Sequence, residues 1–215
     1  MGKEIRIEKE FLLDIDRDKV LSAMDCAKET SIYEKVNHLF DKLLPIIEKL
    51  NEPIGVWKFE NKQEELKINL LNDSSVVVYS FISLGGKIGT KCEELFNQGH
   101  YLQALVLDIM ANDLLFSMGE ELCQKIFKEM RELGIYLGNK IIPGDEGIPF
   151  HYQGVLWERL ELVKLGINLN DKFVFQPLKS MGFLYATTNY SKKSYKRHTC
   201  EKCGNLKCKM RGVED

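Results

Sequence analysis

Long apolar runs are missing from this chain of 215 residues: nowhere do eighteen follow one another without interruption, so no membrane-spanning helix is expected. The N-terminal stretch MGKEIRIEKEFLLDID alternates charges with short apolar groups and has neither the apolar core nor the cleavage site of a secretory signal, which points to a cytoplasmic location. There is little net charge, -2 at neutral pH with a pI near 6.1, which excludes binding of nucleic acid or acidic membranes through the overall field. Histidine is scarce: His38 and His100 stand alone, and His151 reads as a helix-start residue. Internal repeats, low-complexity tracts and the G-x-S-x-G, Walker and G-x-G-x-x-G motifs are absent. ISLGGKIG, residues 82 to 89, has the wrong spacing and the wrong lysine for a phosphate loop.

At 44% hydrophobic, a chain of this length can bury roughly 70% of the surface its unfolded form exposes. Residues 1–190 read as one domain and 191–215 as a tail. The tail holds eight lysines and arginines against three acids, about +5, which leaves about -7 on the rest. In a reducing compartment the six cysteines are thiols. Cys26, Cys92 and Cys123, scattered among apolar or helical stretches, read as packing residues.

Periodicity predicts a short helix over 18–28 with Asp16 as its cap, and another over 31–50 that Pro45 should kink or divide. Three β-branched and aromatic stretches follow, 54–60, 66–71 and 76–84, read as strands with the third nearly all apolar and therefore central. A helical turn or two is expected over 91–97. The longest helical pattern, 101–134, should run through the middle of the domain and end at Gly134, Gly138 and the loop from Pro143 to Pro149. A helix from 151 or 153 to 164, capped by Gly166, precedes two extended pieces, FVFQPLKS and GFLYATTN. This order favours an α+β fold over regular βαβ alternation. The pairs Glu93-Glu94 and Glu120-Glu121 read as solvated helix faces.

The sharpest local pattern is HTCEKCGNLKCKMR, residues 198 to 211. Cys200 and Cys203 on one tight loop can reach a single ion, Cys208 returns after four residues, and the surrounding cations would favour thiolates. With His198 as fourth ligand this would be a closed metal site; without it, an open site, one shared with a partner, an iron-sulfur cluster with an exogenous ligand, a thiol redox element or an unliganded tail are the other readings. The spacing matches neither a standard zinc finger nor the two-cluster ferredoxin run. The loop from Lys140 to Pro149 exposes backbone amides near two acids and a lysine, and by itself reads as a connection.

Taken in order, SLGGKIGTKCEELFNQGHYLQALVLDIMANDL, then IPG, Gln153, LGINLNDKFVFQPLKSMGF and the closing C-x2-C-x4-C-x2-R resemble the activation domain of cobalamin-dependent methionine synthase, and more closely its free-standing bacterial relatives. The match runs from about Val76 to Arg211. The resemblance implies helices packed on a bent, mainly antiparallel β-sheet with a long central helix. It implies binding of S-adenosylmethionine (AdoMet), a corrinoid (cobalamin) protein or methyltransferase as partner, an electron donor, and a role in reductive reactivation or methylation of that partner, by positioning more than by acid-base chemistry. By residue it points to Lys140, Pro143, Gly144, Asp145, Lys179 and Ser180 as cofactor-binding positions. Pro143, Gly144, Pro177, Lys179 and Ser180 match the family's pattern. Lys140 and Asp145 stand where the family has an arginine and a tyrosine, and Phe116 where its helix directs an acid at AdoMet. A lysine lacks the bidentate fork of an arginine. The alternative reading is a metal or iron-sulfur module for electron transfer acting through the tail cysteines; a zinc-stabilised nucleic-acid contact is disfavoured by the acidic body.

Overall fold

The computed structural model describes residues 4–64, 66–145 and 147–188. Its centre is a five-stranded antiparallel sheet in the order β1-β2-β3-β7-β4, built from β1 (Arg6–Glu8), β2 (Ile54–Asn61), β3 (Val76–Ser83), β7 (Ser180–Thr188) and β4 (Tyr136–Ile141). Between β4 and β7 come β5 (Asn168–Leu169) and β6 (Phe175–Gln176), a separate two-stranded ribbon. The α+β expectation holds, and the apolar stretch expected to be central is the central strand β3, buried along nearly its whole length.

That burial has a simple cause: both faces of the sheet are covered. Trp57, Phe59, Val78, Ile82, Phe183 and Tyr185 face a core shared with α1 (Arg17–Ala23), α2 (Tyr33–Leu50), α3 (Lys87–Asn97) and the 32-residue α4 (Tyr101–Glu132). Alternate residues Val56, Val77, Tyr79, Phe81, Leu184 and Ala186 meet a second core under α5 (Tyr152–Arg159) and the irregular segment around Leu66, Ile68 and Leu71. By length and composition α4 would pass for a membrane span, with mean hydropathy 1.3, yet 61% of that window is buried within the fold. It is the core helix.

Asp16 caps α1 as expected, accepting from the N–H groups of Asp18 and Lys19 at 2.9 and 3.1 Å. α2 is not divided at Pro45, whose exposed position leaves the carbonyl it cannot bond on the solvent side. Several expectations fail. Residues 66–71 form no strand; they end in a 3-10 turn over Asn69–Leu71 and insert their apolar side chains from irregular backbone. α3 begins four residues earlier than expected because Ile88 is fully buried and anchors its first turn. The helix expected to 164 divides into α5 and a 3-10 turn over Leu162–Leu165, where Glu161 turns left-handed, and Gly166 closes that turn at φ +76. β4 occupies residues expected only to end the long helix.

Candidate functional site

The start of β7 is fixed to the end of β3 by backbone and hydroxyl bonds. Leu84 N–H donates to Lys179 O at 2.9 Å, and Ser180 Oγ lies 2.7 Å from Pro177 O and 2.8 Å from Ser83 Oγ. Ser83, fully buried, also accepts from Gly85 N–H at 3.1 Å. Ser180 thus has a structural place at the strand junction. Lys179 turns toward α4: Nζ pairs with Asp108 Oδ1 at 2.6 Å and donates to Asn112 Oδ1 at 2.7 Å, with its side chain only 11% exposed.

Lys140 lies on β4 with a side chain 8% exposed, its ammonium 3.6 Å from Glu120 Oε1 and 4.2 Å above the Phe183 ring. Beside it, Tyr185 Oη donates to Cys123 Sγ at 2.8 Å. Burial pushes the Cys123 thiol up despite the nearby lysine, and it pushes Cys92, near Asp108 and Lys179, up to about 11. Neither is a reactive thiolate. This agrees with their reading as packing residues, as does the burial of Cys26.

After β4 the chain turns through a compact loop. Gly144 N–H donates to Ile148 O at 2.9 Å, Asp145 N–H to Ile142 O at 3.1 Å, and Ile148 N–H to Asp145 O at 2.9 Å. Pro143 is buried, and Gly144 sits at φ +101, where a side chain would be strained and a Cβ would lie 3.0 Å from Phe150. β4 pairs with β7 only as far as Ile141 opposite Leu184, so this loop follows beside the first residues of β7.

The positions singled out in the sequence therefore lie along α4 and the β4–β7 edge but do not converge on one point. Lys179 reaches Asp108 and Asn112, while Lys140 reaches Glu120, eight residues and about 12 Å further along the helix. Phe116, midway between Asn112 and Glu120, is 42% exposed. Sequence reasoning missed Asp108 and Asn112 and read Glu120 as a solvated face; the four-residue spacing of Asp108 and Asn112, with Glu120 two further such steps along the same face, was the available signal.

AdoMet carries a carboxylate, an ammonium and a sulfonium. At the turn the space beside Gly144 is taken by the Phe150 ring, and Lys140 commits its charge inward to Glu120 and Phe183. The lysine does not fit as a replacement for a carboxylate-binding arginine fork.

Two clefts lie at the β3–α3 junction, where Gly85 turns at φ +78, and the first of them reaches Ser83 and Pro177, the partners of Ser180. One of about 480 Å³ is bounded by Lys9, Ile54, Ser83, Ile167 and Pro177, and the other, about 700 Å³, by Pro45, Lys49, Lys87 and Lys91; Glu52 and Gly86 border both. His198, Cys200, Cys203 and Cys208 lie outside the described residues. Among the described residues no group of three or more His, Cys, Asp or Glu side chains could hold a metal ion.

No family model matches this chain, and neither does any curated protein. Among solved structures, the fold is similar to the MetH reactivation domain, crystallised bound to AdoHcy, at a TM-score of 0.65 and 14% identity, covering 93% of this chain and 83% of that one. The chain therefore has the fold of the MetH reactivation domain, as its collinear resemblance to the methionine synthase activation domain implies.

Proposed function

We propose that this protein is a cytoplasmic accessory module of corrinoid metabolism. It docks on a corrinoid (cobalamin) protein or methyltransferase and assists its reductive reactivation or methylation, with an external electron donor. In this reading an AdoMet-class ligand lies at the edge formed by the 142–151 loop and the start of β7. The observation that carries it is the fold shared over 93% of the chain with a reactivation domain whose structure holds AdoHcy.

Because Lys140 and Lys179 are both committed to α4 carboxylates, the ligand is held by the loop around Pro143 and Gly144 and by the strand start at Ser180, without a charge pair to Lys140. The role of Lys140, Lys179 and Ser180 is to fix β4, β7 and α4 relative to one another, so that this edge has one shape for ligand and partner. The test is calorimetric titration of the full chain with AdoHcy and with AdoMet, alone and with a cobalamin-charged corrinoid protein. Saturable binding of either nucleoside and of the corrinoid protein is expected. Failure to bind both sinks the reading.

A further inference from the structure

Between β1 and α1, residues 9–15 cross α4 without regular structure, and no backbone-to-backbone hydrogen bond outside helices and strands involves them among the described residues. What holds them is a set of α4 side chains. Lys125 Nζ donates to Glu10 O at 2.8 Å and pairs with Glu8 and Glu121, each at 3.0 Å. Glu121, read from the sequence as part of a solvated face, accepts from Leu12 N–H at 2.9 Å, and Asp113 accepts from Asp16 N–H at 2.7 Å. The chain therefore runs back along the helix, from Lys125 to Asp113, in the opposite direction.

Its apolar attachment consists of Phe11 and Ile15, both only partly buried against the main core. Phe11 lies under the Lys125 ammonium, 4.9 Å from ring centre to nitrogen, and against Gly55, where a Cβ would come 2.7 Å from its ring. Leu12 points outward at 75% exposure and Leu13 is 37% exposed. β1 itself pairs with the sheet through residues 55–57 of β2, and its Arg6 lies 4.9 Å over the Phe59 ring and pairs with Glu129. Segments held by a few part-exposed polar contacts, with little buried apolar surface, are those that open below the global unfolding free energy.

We propose that residues 6–16 form a strap that opens as one unit while α4 and strands β2, β3 and β7 stay folded, and that the Glu121–Lys125 pair is its latch. Opening uncovers the outer edge of β2 at Gly55–Trp57 and the Leu122 face of α4. It also removes Lys9 from the wall of the 480 Å³ cleft. The segment is thus a movable wall between the sheet edge, the cleft and the outside. Its latch is ionic, so salt weakens it.

Hydrogen exchange of the full chain at pH 7, read by mass spectrometry, tests this on the Leu12 and Asp16 amides, which are bonded across to Glu121 and Asp113 of α4. These amides are expected to exchange much faster than those of β3. K125M should accelerate them roughly three- to tenfold with β3 and β7 unchanged. F11A, which leaves the charges intact, should do the same. Raising salt from about 0.05 to about 0.5 M should accelerate the wild type and leave K125M nearly unchanged. Strap amides that exchange only at the β3 rate, variants that accelerate all regions equally, or a wild-type strap indifferent to salt would each overturn the proposal.

Discussion

Asp113 is a carboxyl group the fold holds at a cost, and its replacement by asparagine should reveal that cost as a pH-dependent gain. The residue is 6% exposed on the face of α4 that meets α1, and it accepts a single described hydrogen bond, from Asp16 N–H at 2.7 Å. Burial raises its pKa from 3.8 to about 6; the Asp16 N–H and Lys19 oppose the rise, and the Asp16 and Asp14 carboxylates add to it. The folded chain therefore binds this proton more tightly than the unfolded chain does. Stability from this group falls as pH rises through the window from 3.8 to about 6, and above it the ionised form costs the folded state about 3 kcal/mol.

Asp113→Asn keeps an oxygen acceptor for Asp16 and cannot ionise. Urea unfolding of both chains at pH 4.5 and pH 8 should show the stability difference moving toward the variant by about 2 kcal/mol between the two conditions, or roughly 4 to 8 °C in melting temperature. Comparing the difference at two pH values cancels any fixed cost of the amide and every titration the two chains share. A difference independent of pH, or one that moves toward the wild type as pH rises, would refute the reasoning.

The other expectations concern packing and charge around β4 and β7. A Cβ on Gly182 would meet Gln153 Oε1 at 2.7 Å, Leu156 Cδ1 at 2.8 Å and Phe175 Cε2 at 3.0 Å, so Gly182→Ala should lower unfolding stability by about 1 to 3 kcal/mol in urea titrations. Lys140→Met keeps the packing of the stem on Phe183 and should change stability by less than about 1 kcal/mol, whereas Glu120→Ala leaves the buried ammonium without that carboxylate and should cost about 2 kcal/mol. Because Lys140 is turned inward, K140M should also keep AdoHcy affinity within about threefold by calorimetry; this change is well under the 1.4 kcal/mol of a tenfold loss.

The elements legible in the sequence are those with one dominant physical signal. α4 shows its apolar period over nine turns, β3 its continuous apolar run, and α1 its aspartate cap. β4 was hidden because YLGNKI carries a glycine and a buried lysine, and because its pairing partner, β7, lies some forty residues further along the chain. β1 was hidden by brevity: three residues with charges on either side of Ile7 exist as a strand only because the edge of β2 is there. The 66–71 stretch misled in the opposite direction, since its apolar residues serve the second core without pairing.

For the site, collinear motifs indicated the 140–145 loop and the start of β7, but the direction of each lysine depends on α4 residues remote in sequence: Asp108 and Asn112, 71 and 67 positions before Lys179, and Glu120, 20 before Lys140. Such distances are set by packing and carry no local sequence signal. The cysteine pattern at 198–208 lies outside the described residues, so its metal reading stands where the sequence left it.

The proposed service to a corrinoid protein is tested most directly by mixing the full chain with a corrinoid protein carrying cob(II)alamin, AdoMet and a low-potential reductant, and following the visible spectrum. Conversion to methylcobalamin that depends on this chain and on AdoMet is the predicted result. A cob(II)alamin spectrum unchanged by the chain, together with no measurable binding of AdoHcy, would contradict that role.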